Sequence, residues 1–230
     1  MKCFEIKDGI PSMPSYNRFI ELQKKVMVPL SIFTKLLAAE NECDGISFID
    51  SFSLSVSHPK RISSHKTFRG LAKRGKTSVG WFYGFKVHLL INGHGGMLDF
   101  FITRGNTADN NQQVIEKITQ DVHGKIYGDK GYLLNSELIK KLYDKGVEFV
   151  TKMRSNMQNK LMDIRDKLIL KKRGVIESVG AVLKEDLNIE HSRYRSPMTL
   201  FINVLAGLVA YAFRSKKPSI YKKGFIPLTA

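Results

Sequence analysis

Three carboxylates stand where their surroundings would let them do chemistry. Asp50 interrupts the apolar run Ile46-Ser47-Phe48-Ile49-Asp50-Ser51-Phe52. Side chains alternate along a strand, so Asp50 projects from the sheet face opposite Ile49. Asp129 follows the short apolar segment Lys125-Ile126-Tyr127, inside a Gly128-Asp129-Lys130-Gly131 turn. In α/β sheets, ligands gather at the carboxyl ends of strands. Glu177 lies in a late helical stretch. Arg173 precedes it by four positions and Lys184 follows it by seven, so one helix face carries all three.

If the strands bearing Asp50 and Asp129 are neighbours, they run about 4.8 Å apart and both carboxylates reach one site. Oxygen donors without a His or Cys set suit hard cations, Mg²⁺ or Mn²⁺. Two such ions activate an attacking oxygen and stabilise a leaving one at phosphorus. Each acid also has an ordinary reading: a strand-end cap, a plain turn, a surface ion pair with Arg173. Spacing by itself leaves both readings open.

The charge balance narrows the partner. The chain has 230 residues with 37 Lys plus Arg against 21 Asp plus Glu, a formal charge of +16. Such an excess points first to nucleic acid. The charge is also segregated. No acid lies between Asp50 and Asp99, while Lys60, Arg61, Lys66, Arg69, Lys73, Arg74, Lys76 and Lys86 fall there. No acid follows Glu190, where Arg193, Arg195, Arg214, Lys216, Lys217, Lys222 and Lys223 stand. Acid-free stretches suit surfaces that must not repel phosphate. The aromatic run Trp81-Phe82-Tyr83-Gly84-Phe85 within them reads as strand core rather than as a platform for bases.

Other classes find little support. Cys3 and Cys43 form no CxxC pair, which argues against a zinc knuckle or disulfide framework. The amino end has no signal-like apolar run. Met198 to Phe213 is shorter than the roughly 20 residues that span a bilayer, so a cytoplasmic protein is expected. His58, His65, His88 and His94 lack metal-ligand spacing and are assigned to phosphate contacts or the core. No GxxxxGK[ST] loop occurs, and no Ser-His-acid arrangement surrounds Ser51 or Ser53.

The elements that must position the acids follow from periodicity. Arg18 to Glu40 reads as helix with a break at Pro29. Gly45 to Val56, Trp81 to Ile91 and Met97 to Thr103 read as strands, the last two as a hairpin. His58 to Ser78 reads as irregular. Asn110 to Asp121 reads as helix, Lys125 to Tyr127 as strand, Ser136 to Lys145 as helix and Glu148 to Thr151 as a fifth strand. Leu161 to Lys184 reads as helix that Gly174 could divide, and Ser196-Pro197 caps a last apolar helix. Antiparallel strands followed by βαβ units predict a mixed α/β sheet.

The words around the acids form one pattern. Phe48-Ile49-Asp50-Ser51, His58-Pro59-Lys60-Arg61-Ile62, His65-Lys66, Ala72-Lys73-Arg74-Gly75-Lys76 and Gly80-Trp81-Phe82-Tyr83-Gly84-Phe85-Lys86-Val87-His88 resemble bacterial insertion-sequence transposases of the insertion sequence 982 family. So do Gly105-Asn106, Gly128-Asp129-Lys130-Gly131-Tyr132, Lys172-Arg173, Ile176-Glu177 and His191-Ser192-Arg193-Tyr194-Arg195-Ser196. The resemblance runs from about Pro14 to Pro218. It implies an RNase H-like, five-stranded mixed sheet flanked by helices, with Asp50, Asp129 and Glu177 holding two Mg²⁺ or Mn²⁺ ions. It implies cutting at transposon ends, joining of the 3′ hydroxyl to target DNA, and a homodimer on DNA in a bacterial cytoplasm. Arg173 and Lys184 match a late Tyr-Arg-Glu-Lys signature and would contact end DNA, although Leu170 stands at the Tyr position. Lys130, Arg61, Lys66, Lys73, Arg74, Lys76, Arg193 and Arg195 are the further expected DNA contacts.

The expected division is a helical segment over 1–44, a catalytic domain over 45–215 and a basic tail over 216–230. Family members look longer at the amino end, so a truncated copy is one expectation. Two other readings remain open: a remnant that binds DNA without cutting it, and another RNase H-like nuclease such as a junction resolvase.

Overall fold

The computed structural model describes residues 14–151, 162–191 and 194–221. Strands β1 (Ile46–Ser57), β2 (Lys73–Lys76), β3 (Trp81–Asn92), β4 (Met97–Arg104), β5 (Gly124–Gly128) and β6 (Val147–Thr151) build one sheet. Helices α1 (Tyr16–Lys25), α2 (Met27–Ala39), α3 (Gln112–Ile118), α4 (Ser136–Tyr143), α5 (Ile164–Lys171), α6 (Gly174–Ala181) and α7 (Pro197–Ala212) flank it.

β3 is the apolar backbone of the sheet. It pairs antiparallel with β1 along one edge and with β4 along the other. β1 pairs parallel with β5, and β5 parallel with β6. The order β4-β3-β1-β5-β6, with only β3 reversed, is the RNase H-like arrangement. β2 prolongs the β4 edge, pairing with the first residues of β3 where β4 has ended. The sequence of β2, Lys73-Arg74-Gly75-Lys76, has no strand propensity, and its state comes from pairing with β3. Gly84 lets β1 and β3 close up, since a Cβ there would meet the Leu54 carbonyl oxygen at 1.9 Å.

Alternation along β1 divides the interior between two layers. Phe48, Leu54 and Val56 face a large core completed by α6 and α7. Ile49 faces a smaller one with Ile115 and Ile118 of α3 and Leu138 and Leu142 of α4. Truncating a fully buried Phe48 to Ala would cost about 3–5 kcal/mol. Coverage on both faces explains why β3 reads as nearly continuous apolar sequence.

The helix ends follow local chemistry. Ser196 Oγ accepts from Thr199 N at 3.2 Å, with Pro197 opening α7. The first helical stretch divides at Val26 rather than at Pro29. Pro29 lacks the N–H that would bond the Lys25 carbonyl, and its ring crowds that carbonyl, so the discontinuity falls one turn upstream. Tyr16, Phe19, Val28, Ile32, Phe33 and Leu36 of α1 and α2 leave apolar side chains exposed. Near the carboxyl end, Ile220 N donates to the Gly93 carbonyl at 3.0 Å and the Tyr221 hydroxyl to Asp44 at 3.0 Å, which docks this stretch on the β3–β4 turn. Among the described residues, no helix is long and apolar enough to cross a membrane.

Candidate active site

The parallel pairing of β1 and β5 runs Ile46 to Lys125, Ser47 to Ile126 and Phe48 to Tyr127. Continuing that register sets Asp129 level with Asp50. The turn after β5 is held by Tyr132 N donating to the Asp129 carbonyl at 2.9 Å, and by the Asn110 amide donating to the Leu133 carbonyl at 2.9 Å.

Glu177 arrives from the other side, in the first turn of α6. Helix α5 ends at Lys171 and α6 begins at Gly174, so the break falls on Lys172-Arg173. This offset turns the Arg173 guanidinium inward. Its Nη1 donates to Asp50 Oδ2 at 3.1 Å and its Nη2 to Glu177 Oε1 at 2.5 Å. The Arg173 side chain is only 13% exposed. Burial works against its charge, but the fields of Asp50, Asp129 and Glu177 outweigh that and raise its pKa above the usual value. One guanidinium therefore feels all three acids.

Asp50 is under-compensated. Burial pushes its carboxyl above the ordinary range, and Asp129 adds to the push. Arg173 and the Ser51 N–H, at 2.9 Å, oppose it without cancelling it. A half-buried acid beside a second acid, with a single cation between, is a site that gains by taking up positive charge. Among the described residues, no three Asp, Glu, His or Cys side chains close together into a metal cage. Asp50 and Glu177 are joined through Arg173. The donor chemistry nonetheless fits hard cations: carboxylate oxygens at a strand end, with no soft ligand among them.

Behind β1, on the opposite sheet face, lies a polar cluster that the sequence reading missed. The Ser51 hydroxyl and Lys86 Nζ both donate to Asp109 Oδ1, at 2.5 and 2.9 Å. The Tyr132 hydroxyl is buried there with no hydrogen-bond partner among the described residues. Burial, with the nearby charges of Asp50 and Asp109, pushes its pKa far up. His88 is buried beside Lys86 and Asp109, and burial pushes it down to about 4, so it is neutral at pH 7. Its Nε2 pairs with the Thr103 hydroxyl at 2.9 Å, which makes it a core residue. The available signal was Lys86, a cation in the middle of an apolar strand, which demands an acid partner.

The expected DNA contacts divide into groups. Arg61, Lys66, Lys73, Arg74, Lys76, Lys130 and Arg195 are exposed. Arg193 lies outside the described residues. Lys184 falls in a π-helical turn, Val182–Asp186, that shifts it from the ideal helix face. Its Nζ binds Glu190 at 2.7 Å and lies over the Phe52 ring.

The model of the transposase DDE domain family matches residues 40–197 of the 230, more than half of the chain. No curated protein sequence matches. Among solved structures, the integrase assembly (intasome) of simian T-cell lymphotropic virus in complex with the PP2A regulatory subunit B56 gamma is similar at 10% identity and a TM-score of 0.40, over 82% of this chain and 63% of that one. The catalytic domain of the Mos1 mariner transposase is similar at 9% identity and a TM-score of 0.32, over 88% of this chain and 94% of that one. The Mos1 transposase paired-end complex with the left transposon end gives 11% identity and a TM-score of 0.31, over 92% and 65%. The chain thus spans under two thirds of the first of these and of the paired-end complex. On the family match, the chain belongs to the transposase DDE domain family.

Proposed function

We propose that this chain is a DNA transposase of the insertion sequence 982 type. In this reading it cleaves DNA at transposon ends and joins the freed 3′ hydroxyl to target DNA. The observation that carries the reading is the Arg173 guanidinium, which bonds Asp50 at 3.1 Å and Glu177 at 2.5 Å.

Asp50, Asp129 and Glu177 are the residues that would hold two Mg²⁺ or Mn²⁺ ions, which supply activation of the attacking oxygen and charge stabilisation at the leaving one. Arg173 compensates the acids only in part. Once it leaves them, its planar fork is free for a backbone phosphate. Lys130, beside Asp129, places a further cation at the same rim. Arg61, Lys66, Lys73, Arg74, Lys76 and Arg195, with Lys184, supply the basic surface for flanking DNA, and the sequence adds Arg193 as a further expected contact. In this division 45–215 is the catalytic unit, with 1–44 as a helical segment and 216–230 as a basic tail. The partner is DNA, and the working form is a homodimer on it.

The test is an assay with the DNA that flanks the gene. The expected result is divalent-dependent nicking at the terminal repeats and strand transfer into a second duplex, both lost in Asp50→Ala. Branched DNA cut without joining would replace this reading by a junction nuclease. Metal-independent binding with no cleavage would leave a DNA-binding protein only.

A further inference from the structure

The aromatic run at the start of β3 divides in a way that sequence alone did not show. Phe82, Tyr83 and Phe85 are buried, as strand core should be. Trp81, the only tryptophan of the chain, is 64% exposed. Next to it in the turn, Val79 is 97% exposed. Large apolar side chains left exposed at a hairpin tip forgo the free energy that burial would bring.

The hairpin that presents them is rigid. Thr77 N donates to the Gly80 carbonyl at 2.8 Å and Gly80 N returns to Thr77 at 3.2 Å, which closes a two-residue turn. Gly75 and Gly105 carry no side chain where the Phe82 ring passes, so the tip is seated on the sheet. Its charge is of one sign. Lys73, Arg74 and Lys76 are exposed on β2, and Lys76 Nζ stands 5.7 Å from the Trp81 ring centroid. No acid lies between Asp50 and Asp99 in sequence.

The placement relates the tip to the acids. Leu89 of β3 is the cross-strand partner of Asp50. Trp81 lies eight residues before Leu89 on the same strand, an even spacing that keeps it on the sheet face of Asp50. At roughly 3.3 Å per residue the separation is about 26 Å. Along paired DNA leading to the unpaired base, that is about eight nucleotides of one strand at ~3.4 Å each.

We propose that Trp81 is a stacking site for an unpaired base of a DNA strand, about eight nucleotides from the phosphodiester held at the acids. The inference rests on the DNA-cutting reading for the ligand. An indole ring accepts any base on its face, and the lysines beside it track the backbone. Val79 at the tip would fill the step the base leaves.

The test uses the full chain in EDTA, with a 20-nucleotide oligothymidylate and a fully paired duplex, each carrying a dye for anisotropy. Trp81 is its own reporter. Its emission should be quenched as the single strand saturates. Trp81→Ala should weaken single-strand binding by about tenfold or more, within the range stacking on one aromatic gives. Trp81→Phe should recover most of that loss, and duplex affinity should change by less than about twofold. Circular dichroism of both variants should match the parent. Emission unchanged at saturation, with Trp81→Ala binding like the parent, would overturn the inference while leaving the DNA reading in place. Binding of neither oligonucleotide would remove both. Emission that shifts with protein concentration alone would assign Trp81 to contact with a second copy and also overturn it.

Discussion

Asp50 and Asp166 are both drawn inward beside a cation, yet the protein treats them in opposite ways. Asp166 accepts from Lys125 Nζ at 3.0 and 2.8 Å and from the Tyr127 hydroxyl at 2.7 Å. Burial alone would raise its pKa, but these bonds hold the carboxyl below the ordinary range. Asp50 has a single cation at 3.1 Å, an acid neighbour in Asp129, and a carboxyl pushed above that range. Asp166 is an acid the fold has satisfied. Asp50 is one it has left short of positive charge, in the strand that joins β3 to β5. An acid held short of charge inside β1, beside the end of β5, is poised to take up cations. A satisfied acid holds α5 to β5.

The largest effect that would break this contrast is on activity. Asp50→Ala, Asp129→Ala and Glu177→Ala should each lower strand cleavage by at least about a thousandfold, ~4 kcal/mol of transition-state stabilisation. Asp50→Asn should leave the fold as stable as the parent or more so by urea titration, because it removes a charge the interior disfavours. Asp166→Ala should do the reverse. It leaves Lys125 with only the longer Glu148 contact at 3.5 Å and leaves the Tyr127 hydroxyl unpartnered in the core. Lys125 is 36% exposed, which places the loss at the low end for a buried pair, about 2–3 kcal/mol in urea titration. Cleavage per folded molecule should be unchanged within about twofold.

Arg173→Gln comes next. Without the guanidinium the acids repel one another, so Mn²⁺ affinity in the absence of DNA should rise severalfold by calorimetry while cleavage falls, on the order of tenfold. A drop in Mn²⁺ affinity would mean that Arg173 organises the acids instead of competing for them. The smallest effect is in pH. Asp166 has a depressed pKa, so its stabilisation is complete above the unfolded carboxylate value of 3.8 and is lost as pH falls through the folded value. The stability gap between the parent and Asp166→Asn should therefore be constant from pH 7 to about 5 and shrink toward pH 3.

The comparison also marks what could be read from the chain. Asp50 was legible because an acid in Phe48-Ile49-Asp50-Ser51 breaks an apolar run, and Asp129 because a strand runs straight into its turn. Their shared level required the β1–β5 register, which no local pattern encodes. The sheet was legible from its apolar strands. β2 was not, because four residues with three cations become a strand only by pairing with β3. Glu177 and Arg173 were legible as a pair at helical spacing, but the inward turn of Arg173 depends on the break between α5 and α6. Asp109 went unseen, and Tyr132 was read only as part of its motif, since both sit in loops whose folding over β1 is set by distant partners. The exposure of Trp81 likewise depends on where the sheet ends.

The account's central claim is that Asp50, Asp129 and Glu177 share divalent ions. Mn²⁺ binding followed by electron paramagnetic resonance, on the parent chain and on each single Ala variant, tests it most directly. Binding to the parent should be saturable and weakened by at least about tenfold by each of the three substitutions, with Asp166→Ala like the parent. Binding that survives all three substitutions, or weakens equally in Asp166→Ala, would contradict it.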